Sequence, residues 1–383
     1  MSTRLLHIAD LHLDRAFAAM GCHGELAIRR RLGLREALGR AGRTAAEHGC
    51  AALTIAGDLY EHDRAGTDTA RFLADTFASW APIQVLLAPG NHDALLARSI
   101  YSRTAWPGNV HLFGSSCLEP HPLGDGLTVW GLAHLEPSWQ GDPLDCAAVG
   151  GDGGVHLALF HGAELGWRPE GKSIHGPFHA SHIHERGFAA ALSGHYHRRR
   201  LDAALGLVYP GSPEPLSFDE SEGRGPVVVT VAGNGSVSFE ALTDNRWHAR
   251  TVSADVGGAR SAADVVEAAG VAARAACTGT DPERTMLRLD LVGAVDDAVS
   301  IDAFTVETAA REACGAASVR TRDLTSTAPT LVLVGVEGTV RSAFAAAVAR
   351  AAAAGGGEED HRSLEDTLRY GLQALSGVEI GLR

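Results

Sequence analysis

Five apolar stretches of this chain run directly into residues that can bind a metal ion or transfer a proton. The clearest case is Gly90-Asn91-His92-Asp93, which follows the apolar stretch 83–87. The other four stretches lead into Asp10-Leu11-His12, Gly57-Asp58, His161-Gly162 and Gly194-His195-Tyr196-His197. Carboxylate, amide and imidazole groups are hard and borderline metal ligands, and no thiolate is among them. The pattern therefore predicts a site for divalent cations.

The spacing of these residues predicts two metal positions. Asp10 and His12 lie two residues apart, so in extended backbone their side chains point the same way and can hold one ion. His195 and His197 share this spacing, and Asp58 could lend one oxygen to each of two ions. We predict a first position formed by Asp10, His12, Asp58 and His197, and a second formed by Asp58, Asn91, His161 and His195.

The predicted centre is suited to phosphate chemistry. Two carboxylates against two divalent cations leave a net positive charge, which favours a phosphate ligand. Metal pairs about 3.5–4 Å apart activate a water molecule and clamp the oxygens of the attacked phosphorus. His92 follows a ligand but is left free, and Asp93 could orient it. We therefore predict His92 as the general acid that protonates the leaving oxygen or stabilises the transition state.

Alternating strands and helices should position these residues. A single Asp or His at such a place is usually a turn residue or a helix cap, but five in order favour a common site. Open α/β sheets bind ligands at the carboxyl ends of their strands. Gly233-Asn234-Gly235 is a hairpin signal between two further strands. The sequence predicts strands at 5–9, 51–56, 83–87, 110–113, 127–131, 155–160, 189–193, 207–209, 227–231 and 237–242, helices at 29–47, 67–80 and 95–104, and a loop at 136–154.

From residue 251 onward the pattern changes to that of a small α+β unit. It predicts strands at 251–256, 285–292 and 318–324, and helices at 262–276, 302–313 and 340–353. Few polar side chains there could do chemistry, so the residues alone favour a structural appendage.

Composition sets looser bounds on the class of protein. Of 383 residues, 45% are hydrophobic and 21% are charged, which is ordinary for a soluble globular protein. The sequence shows neither an uncharged apolar run of membrane-spanning length nor a signal peptide. Its six cysteines are scattered without a CxxC pair, which favours reduced, buried thiols in a cytoplasmic protein. The formal charge of −13 argues mildly against unaided DNA binding, although two cations would invert the local potential.

Taken together, the five motifs resemble those of calcineurin-like metallophosphoesterases over residues 1–245. The resemblance implies an α/β fold, a four-layer α-β-β-α sandwich, and the smaller C-terminal α+β unit resembles a capping domain. It also implies two divalent metal ions, most often Mn²⁺. We expect a metallophosphoesterase domain at 1–245, a capping domain at 250–354, and a linker with a C-terminal amphipathic helix at 355–383.

Two further segments are similar to SbcD-type DNA-repair nucleases, and most closely to their shorter YhaO-like members. They are His7-Ile8-Ala9-Asp10-Leu11-His12-Leu13-Asp14, and Tyr209-Pro210-Gly211-Ser212-Pro213-Glu214 with Ser217-Phe218-Asp219-Glu220. This resemblance implies manganese-dependent cleavage of DNA, exonucleolytic from 3′ ends and endonucleolytic on single strands, in double-strand-break repair. It also implies an SMC-like ABC ATPase of the SbcC type as partner, and a possible homodimer.

One position departs from the family pattern. Some nucleases of this type carry a second active-site histidine three residues after the shared aspartate, where this chain has Glu61. We interpret the difference as a change in substrate handling.

Several other residues allow two interpretations. Arg15, Arg64 and Arg198 follow metal motifs and could hold flanking phosphates, or belong to solvated basic loops. His134 could contact substrate, but a loop histidine is the simpler interpretation. The run His175, His179, His182 and His184 is interpreted as surface residues, with a role beside the site as the alternative. The leucines Leu364, Leu368, Leu372 and Leu375 either dock the ATPase or fold back onto the chain's own core.

Two other functional classes remain open on the sequence alone. The chain could be a calcineurin-like phosphodiesterase for a small nucleotide or another phosphoester. It could also be a non-catalytic scaffold, but such proteins typically lose metal ligands and none is missing here.

Overall fold

The computed structural model describes residues 2–124, 126–146, 149, 153–169, 173–296, 299–327 and 339–353, with scattered residues between 364 and 375. The chain forms two compact units. The first comprises Met1–Arg250 and Arg284–Met286, and the second comprises Thr251–Glu283 and Leu287–Arg383. All the predicted metal ligands belong to the first unit.

The first unit contains fourteen strands and four α-helices in its described residues. In chain order they are β1 (Thr3–Ile8), α1 (Gly24–Glu47), β2 (Ala52–Ala56), α2 (Thr67–Ala78), β3 (Gln84–Ala88), α3 (Ile100–Arg103), β4 (Val110–Leu112), β5 (Glu119–Gly124), β6 (Leu127–Gly131), β7 (Val155–His161), β8 (Ala163–Glu164), β9 (Pro177–Phe178), α4 (His182–Glu185), β10 (Ala190–Gly194), β11 (Arg200–Asp202), β12 (Leu207–Tyr209), β13 (Val227–Val231) and β14 (Val237–Ala241).

Twelve of these strands build two six-stranded sheets, each with four parallel strands, and β8 and β9 pair with each other. One has the order β14-β13-β1-β2-β3-β4, and the other has the order β11-β12-β10-β7-β6-β5. Strands β1 to β4 run parallel in the first sheet, and β6, β7, β10 and β12 run parallel in the second. All five metal motifs therefore lie at the carboxyl ends of parallel strands.

The two sheets pack face to face around an apolar core. Leu5 and Leu86 from one sheet and Leu157 and Leu192 from the other are fully buried in this core. Helix α1 packs on β1 and β2, and α4 packs on β10. Together these layers confirm the predicted four-layer α-β-β-α sandwich.

Some predicted elements differ in extent. The helix predicted at 95–104 is only α3, Ile100–Arg103, and α1 begins at Gly24 rather than at residue 29. Strand β5 is absent from the sequence prediction, because Pro120 and Pro122 argue against a strand. The structure places β5 at a sheet edge, where prolines are tolerated since no neighbour needs their missing N–H.

The second unit is an α+β fold, as its sequence pattern predicts. Its elements are β15 (His248–Asp255), α5 (Ala262–Cys277), β16 (Thr285–Val292), β17 (Ala294–Val295), α6 (Ala303–Cys314), β18 (Ser318–Asp323), β19 (Ser326–Thr327) and α7 (Val340–Ala353). Strands β15, β16 and β18 form a three-stranded sheet. Its buried leucines Leu287, Leu289 and Leu291 share one core with Val265 of α5 and Val306 of α6.

Part of the C-terminal leucine segment folds back within the second unit. A Cβ at Gly371 would lie 2.1 Å from the Phe344 ring of α7, and Leu372 is buried. Leu375 is 41% exposed. The predicted linker at 355–360 lies outside the described residues. Among the described helices, none is both long enough and apolar enough to span a membrane.

The cysteines follow the sequence prediction only in part. All six are free thiols, as expected. Cys22, Cys50 and Cys277 are buried, but Cys117 and Cys146 are exposed. The expectation that the cysteines are buried is therefore wrong for these two, which lie in loops rather than in a core.

Candidate metal centre

The predicted ligands converge through left-handed backbone turns, not through extended strands. Asp10, His12, Asp58 and His197 have φ angles of 55°, 49°, 52° and 55°, and His195 has a φ of 128°. The expectation that residues two apart point the same way in extended backbone is therefore wrong, because the strands end before these residues. Non-glycine residues in this region are strained, and such strain concentrates at functional sites.

Three glycines let the strand ends approach each other closely. A Cβ at Gly194 would lie 2.3 Å from the carbonyl oxygen of Ala56 in the facing sheet. A Cβ at Gly57 would lie 2.5 Å from Nδ1 of His161, and one at Gly90 would lie 2.6 Å from Oδ1 of Asp58. No other residue fits at these positions without displacing a predicted ligand or the strand that carries it.

In the first predicted metal position, two imidazoles present lone pairs to each other. Nδ1 of His12 lies 3.0 Å from a Glu61 oxygen, and Nδ1 of His197 lies 3.1 Å from a Glu220 oxygen. An ionised carboxylate only accepts hydrogen bonds, so each Nδ1 carries a proton, and in the neutral tautomer each Nε2 offers a lone pair. The two Nε2 atoms are 3.0 Å apart, and Asp10 and Asp58 complete the group. A cation between the two nitrogens would satisfy both lone pairs.

The second position has the same arrangement with different anchors. Nδ1 of His161 donates to the Ala56 carbonyl at 2.9 Å, and Nε2 of His195 donates to the Ser173 carbonyl at 3.0 Å. The remaining nitrogens, Nε2 of His161 and Nδ1 of His195, face each other at 3.2 Å. Oδ1 of Asn91 lies 3.0 Å from His161 Nε2.

Asp58 joins the two positions. Its Oδ2 atom lies 3.4 Å from Nε2 of His12 and 3.4 Å from Nε2 of His161. Burial lowers the pKa of His161 and of His195 to about 3, which keeps both imidazoles in the neutral form that binds metal. Burial raises the pKa of Asp10 to about 7, and the nearby Asp58 carboxylate adds to this shift. The donor set therefore fits two divalent cations that share one carboxylate, as the sequence predicts.

His92 borders the first position and is held by Glu61. Its ring lies 4.7 Å from the His12 ring, and its Nδ1 lies 2.9 Å from a Glu61 oxygen. The hydrogen bond to Glu61 raises the pKa of His92 to about 9. The side chain of His92 is 42% exposed, so its Nε2 side is accessible to a ligand. Glu61, noted in the sequence only as a departure from the family pattern, thus orients both His12 and His92.

The prediction that Asp93 orients His92 is wrong. The buried Asp93 carboxylate accepts hydrogen bonds from the backbone N–H groups of Asp58 (3.0 Å), Leu59 (2.7 Å) and Gly90 (2.6 Å), and from the Tyr101 hydroxyl (2.7 Å). Four donors occupy its two oxygens and hold them toward the backbone. Asp93 therefore fixes the loops that carry Asp58 and Asn91.

Glu220 contacts the predicted ligand His197, although the sequence did not single it out as a site residue. It is buried, and its second oxygen accepts hydrogen bonds from the Ser212 hydroxyl (2.6 Å) and the Leu216 N–H (3.0 Å). Both Glu220 and Ser212 belong to the segment that resembles SbcD-type nucleases. That resemblance could have identified Glu220, because the segment contains a carboxylate shortly after the last metal motif.

The three predicted substrate arginines differ in their surroundings. Arg15 pairs with Glu61 at 3.2 Å, and Arg198 pairs with Glu222 at 3.8 Å while remaining 59% exposed. Arg64 is exposed, and its backbone N–H bonds to the Glu61 carbonyl. These contacts place Arg15 and the backbone of Arg64 beside Glu61 at the first metal position.

Two further histidines lie nearer the centre than predicted. His134 lies in the loop after β6, as predicted, but it is fully buried and donates from Nε2 to the His161 carbonyl at 2.7 Å. The His175 ring lies 5.6 Å from that of His195. His179 is exposed and lies against His182.

Comparison with known proteins assigns the family. A family model described as calcineurin-like phosphoesterase matches residues 3–199, more than half of the chain. The chain therefore belongs to the calcineurin-like phosphoesterase family.

The sequence identity to individual known proteins is low. Over 292 residues the chain is 24% identical to the DNA double-strand break repair protein Mre11 of Methanopyrus kandleri, which covers 67% of this chain and 60% of that protein. The chain thus spans less than two thirds of this relative's length. Two solved structures are also similar, each covering 63% of this chain and 99% of its own. They are TT1561 of Thermus thermophilus (TM-score 0.38, 14% identity) and a dimetal phosphatase from Danio rerio (TM-score 0.35, 11% identity).

Proposed function

We propose that this chain is a DNA nuclease that uses two divalent metal ions, most often Mn²⁺, with 3′–5′ exonuclease and single-strand endonuclease activity. The observation that carries the proposal is the pair of facing imidazole lone pairs, His12 with His197 and His161 with His195, joined by Asp58. Facing lone pairs repel each other unless a cation lies between them. A buried group of this kind is therefore suited to metal binding.

The centre favours a phosphodiester substrate. When bound, two divalent cations supply an activated water and neutralise charge on the phosphate oxygens. His92 then donates a proton from its accessible Nε2 side to the leaving oxygen, while Glu61 fixes the opposite side of the ring. Arg15 and Arg198 are the candidate contacts for flanking phosphates.

The choice of DNA rests on similarity and on Glu220. The relative from Methanopyrus kandleri is named as a DNA double-strand break repair protein. The segment that resembles SbcD-type nucleases supplies the carboxylate that holds the ligand His197. On this basis we propose a role in double-strand-break repair in the cytoplasm, with an SMC-like ABC ATPase of the SbcC type as partner and a homodimer as one assembly. The second unit is proposed as the capping domain.

The test is digestion of end-labelled duplex and single-stranded DNA with manganese. His92→Ala should lower the cleavage rate by about 10²–10⁴-fold, the usual contribution of a general acid, while manganese binding stays unchanged. His179→Ala, an exposed histidine outside the centre, is the matched control. A small ester, bis-p-nitrophenyl phosphate, is assayed in parallel. Turnover of this ester with intact DNA would contradict the nuclease proposal and favour a phosphodiesterase for another substrate.

A further inference from the structure

His175 occupies a position that the proposed mechanism does not use. It lies two residues after Ser173, whose carbonyl accepts a hydrogen bond from the ligand His195. The His175 and His195 rings meet edge to face, with centroids 5.6 Å apart and planes at 87°. His175 therefore borders the second metal position, as His92 borders the first.

The surroundings of His175 decide which of its nitrogens carries a proton. Nδ1 is buried and has no hydrogen-bond partner within the part of the chain that the structure describes. The residue as a whole is half-buried, so the exposed side of the ring is the one that carries Nε2. A buried N–H without an acceptor is rarer and costs more than a bare acceptor. The neutral ring therefore holds its proton on Nε2, directed away from the core.

The neighbouring carboxylates are already engaged. Glu61 accepts from His12 and His92, and Glu220 accepts from His197. Asp58 and Asp10 belong to the metal positions. The His175 ring lies against the His195 ring, so an anion bound at the second position would offer an acceptor to the Nε2–H of His175.

We infer that His175 is a substrate-contacting residue that donates a hydrogen bond from Nε2 to a phosphate oxygen of the ligand at the second metal position. The inference rests on the phosphoester chemistry of the proposed function, but not on DNA as the substrate. Because His92 borders one metal position and His175 borders the other, a phosphate bound at the centre would have an imidazole beside each position.

Binding of inorganic phosphate to the manganese-loaded full chain tests this inference by calorimetry. His175→Ala should weaken phosphate binding by about tenfold, the effect of losing one hydrogen bond to a charged acceptor. His175→Gln retains an N–H close to the place of Nε2 and should recover most of the affinity. His179→Ala, from the same histidine run, should match the unmodified protein. Manganese affinity should stay the same in all of them.

Three results would overturn the inference. The first is unchanged phosphate binding in His175→Ala. The second is an equal loss in the alanine and glutamine variants together with weaker manganese binding, which would reduce His175 to a packing support for His195. The third is no phosphate binding by the unmodified manganese-loaded protein.

The nuclease proposal can fail separately. Hydrolysis of bis-p-nitrophenyl phosphate and of DNA is measured with the same variants. Intact DNA combined with phosphate binding that depends on His175 would refute DNA as the substrate and retain the inference. Cleavage of DNA by a protein whose phosphate binding does not change in His175→Ala would support DNA as the substrate and refute the role of His175.

Discussion

In the two candidate metal positions, different kinds of hydrogen-bond acceptor hold the imidazoles in place. Carboxylates from Glu61 and Glu220 anchor His12 and His197, whereas the backbone carbonyls of Ala56 and Ser173 anchor His161 and His195. A carboxylate makes the opposite nitrogen of an imidazole more basic than a neutral carbonyl does. The first position also has two carboxylate ligands, Asp10 and Asp58, and the second has only Asp58. We expect the first position to bind manganese more tightly.

Glu220→Gln tests the contribution of one anchor. Glutamine keeps the shape of the side chain but removes its charge, so His197 becomes a weaker ligand. Manganese affinity at the tighter position should fall by about 10–100-fold in a calorimetric titration. Glu222→Gln, two residues on and exposed, is the control and should titrate like the unmodified protein. Equal affinities for Glu220→Gln and the control would show that the anchor does not act through His197.

Asp93→Asn should lower stability rather than abolish chemistry directly. An asparagine offers one acceptor oxygen where the carboxylate of Asp93 serves four donors, so buried N–H groups lose their partners. We expect a loss of about 1–3 kcal/mol in the free energy of unfolding, measured by urea denaturation. Tyr101→Phe removes only one of the four hydrogen bonds and should cost less, about 1 kcal/mol. A loss no larger for Asp93→Asn than for Tyr101→Phe would contradict this role.

At the scale of strands and helices, the sequence predicted the elements that have an apolar run or a regular hydrophobic period. It missed elements whose position depends on residues distant in sequence. Strand β6 and helix α7 have the predicted bounds, and β1 to β3 are shifted by no more than two residues. Apolar runs predict such buried strands because their side chains need no partner of a particular kind. Strand β5 was missed, since its prolines are acceptable only at an edge that the local sequence does not reveal.

The candidate site shows the same division. The types and order of the candidate ligands were readable because each one lies at or just beyond the end of a strand, and parallel strands end at a common edge. The carboxylates that hydrogen-bond to the candidate ligands could not be identified in this way. Glu61 is 49 residues from His12 in sequence, and Glu220 is 23 residues from His197. The role of Asp93 was mistaken since proximity in sequence to His92 says nothing about which way a side chain points from a tight turn.

Close packing of the strand ends makes a glycine prediction possible. Gly194 ends β10 where the two sheets converge, and an added methyl group would meet the Ala56 carbonyl oxygen at 2.3 Å. This neighbour is backbone, so relief requires moving a strand. Gly194→Ala should lower the free energy of unfolding by about 1–3 kcal/mol and weaken manganese binding. Gly108→Ala, with nothing within 4 Å, is the control. Retention of full stability in Gly194→Ala would refute the close-approach argument.

At the scale of the whole molecule, net charge and local charge oppose each other. The chain carries a formal charge of −13, which repels a polyanion. The two candidate metal positions lie in the first unit. Arg15 pairs with Glu61 at the first position, and Arg198 directly follows the candidate ligand His197. For the proposed DNA substrate, positive potential would therefore come largely from the cations of the proposed metal centre.

DNA binding should consequently depend on manganese. His92→Ala protein allows the measurement, because it keeps the metal ligands but cleaves slowly. The affinity for a labelled single strand, followed by fluorescence anisotropy, should rise by at least about tenfold when manganese replaces a chelator, and should fall as salt is added. The double variant His92→Ala with Asp58→Ala lacks the shared ligand and should show no manganese effect. Equal affinity of His92→Ala protein in manganese and in chelator would mean that DNA is held by another surface, and that the metal centre serves chemistry alone.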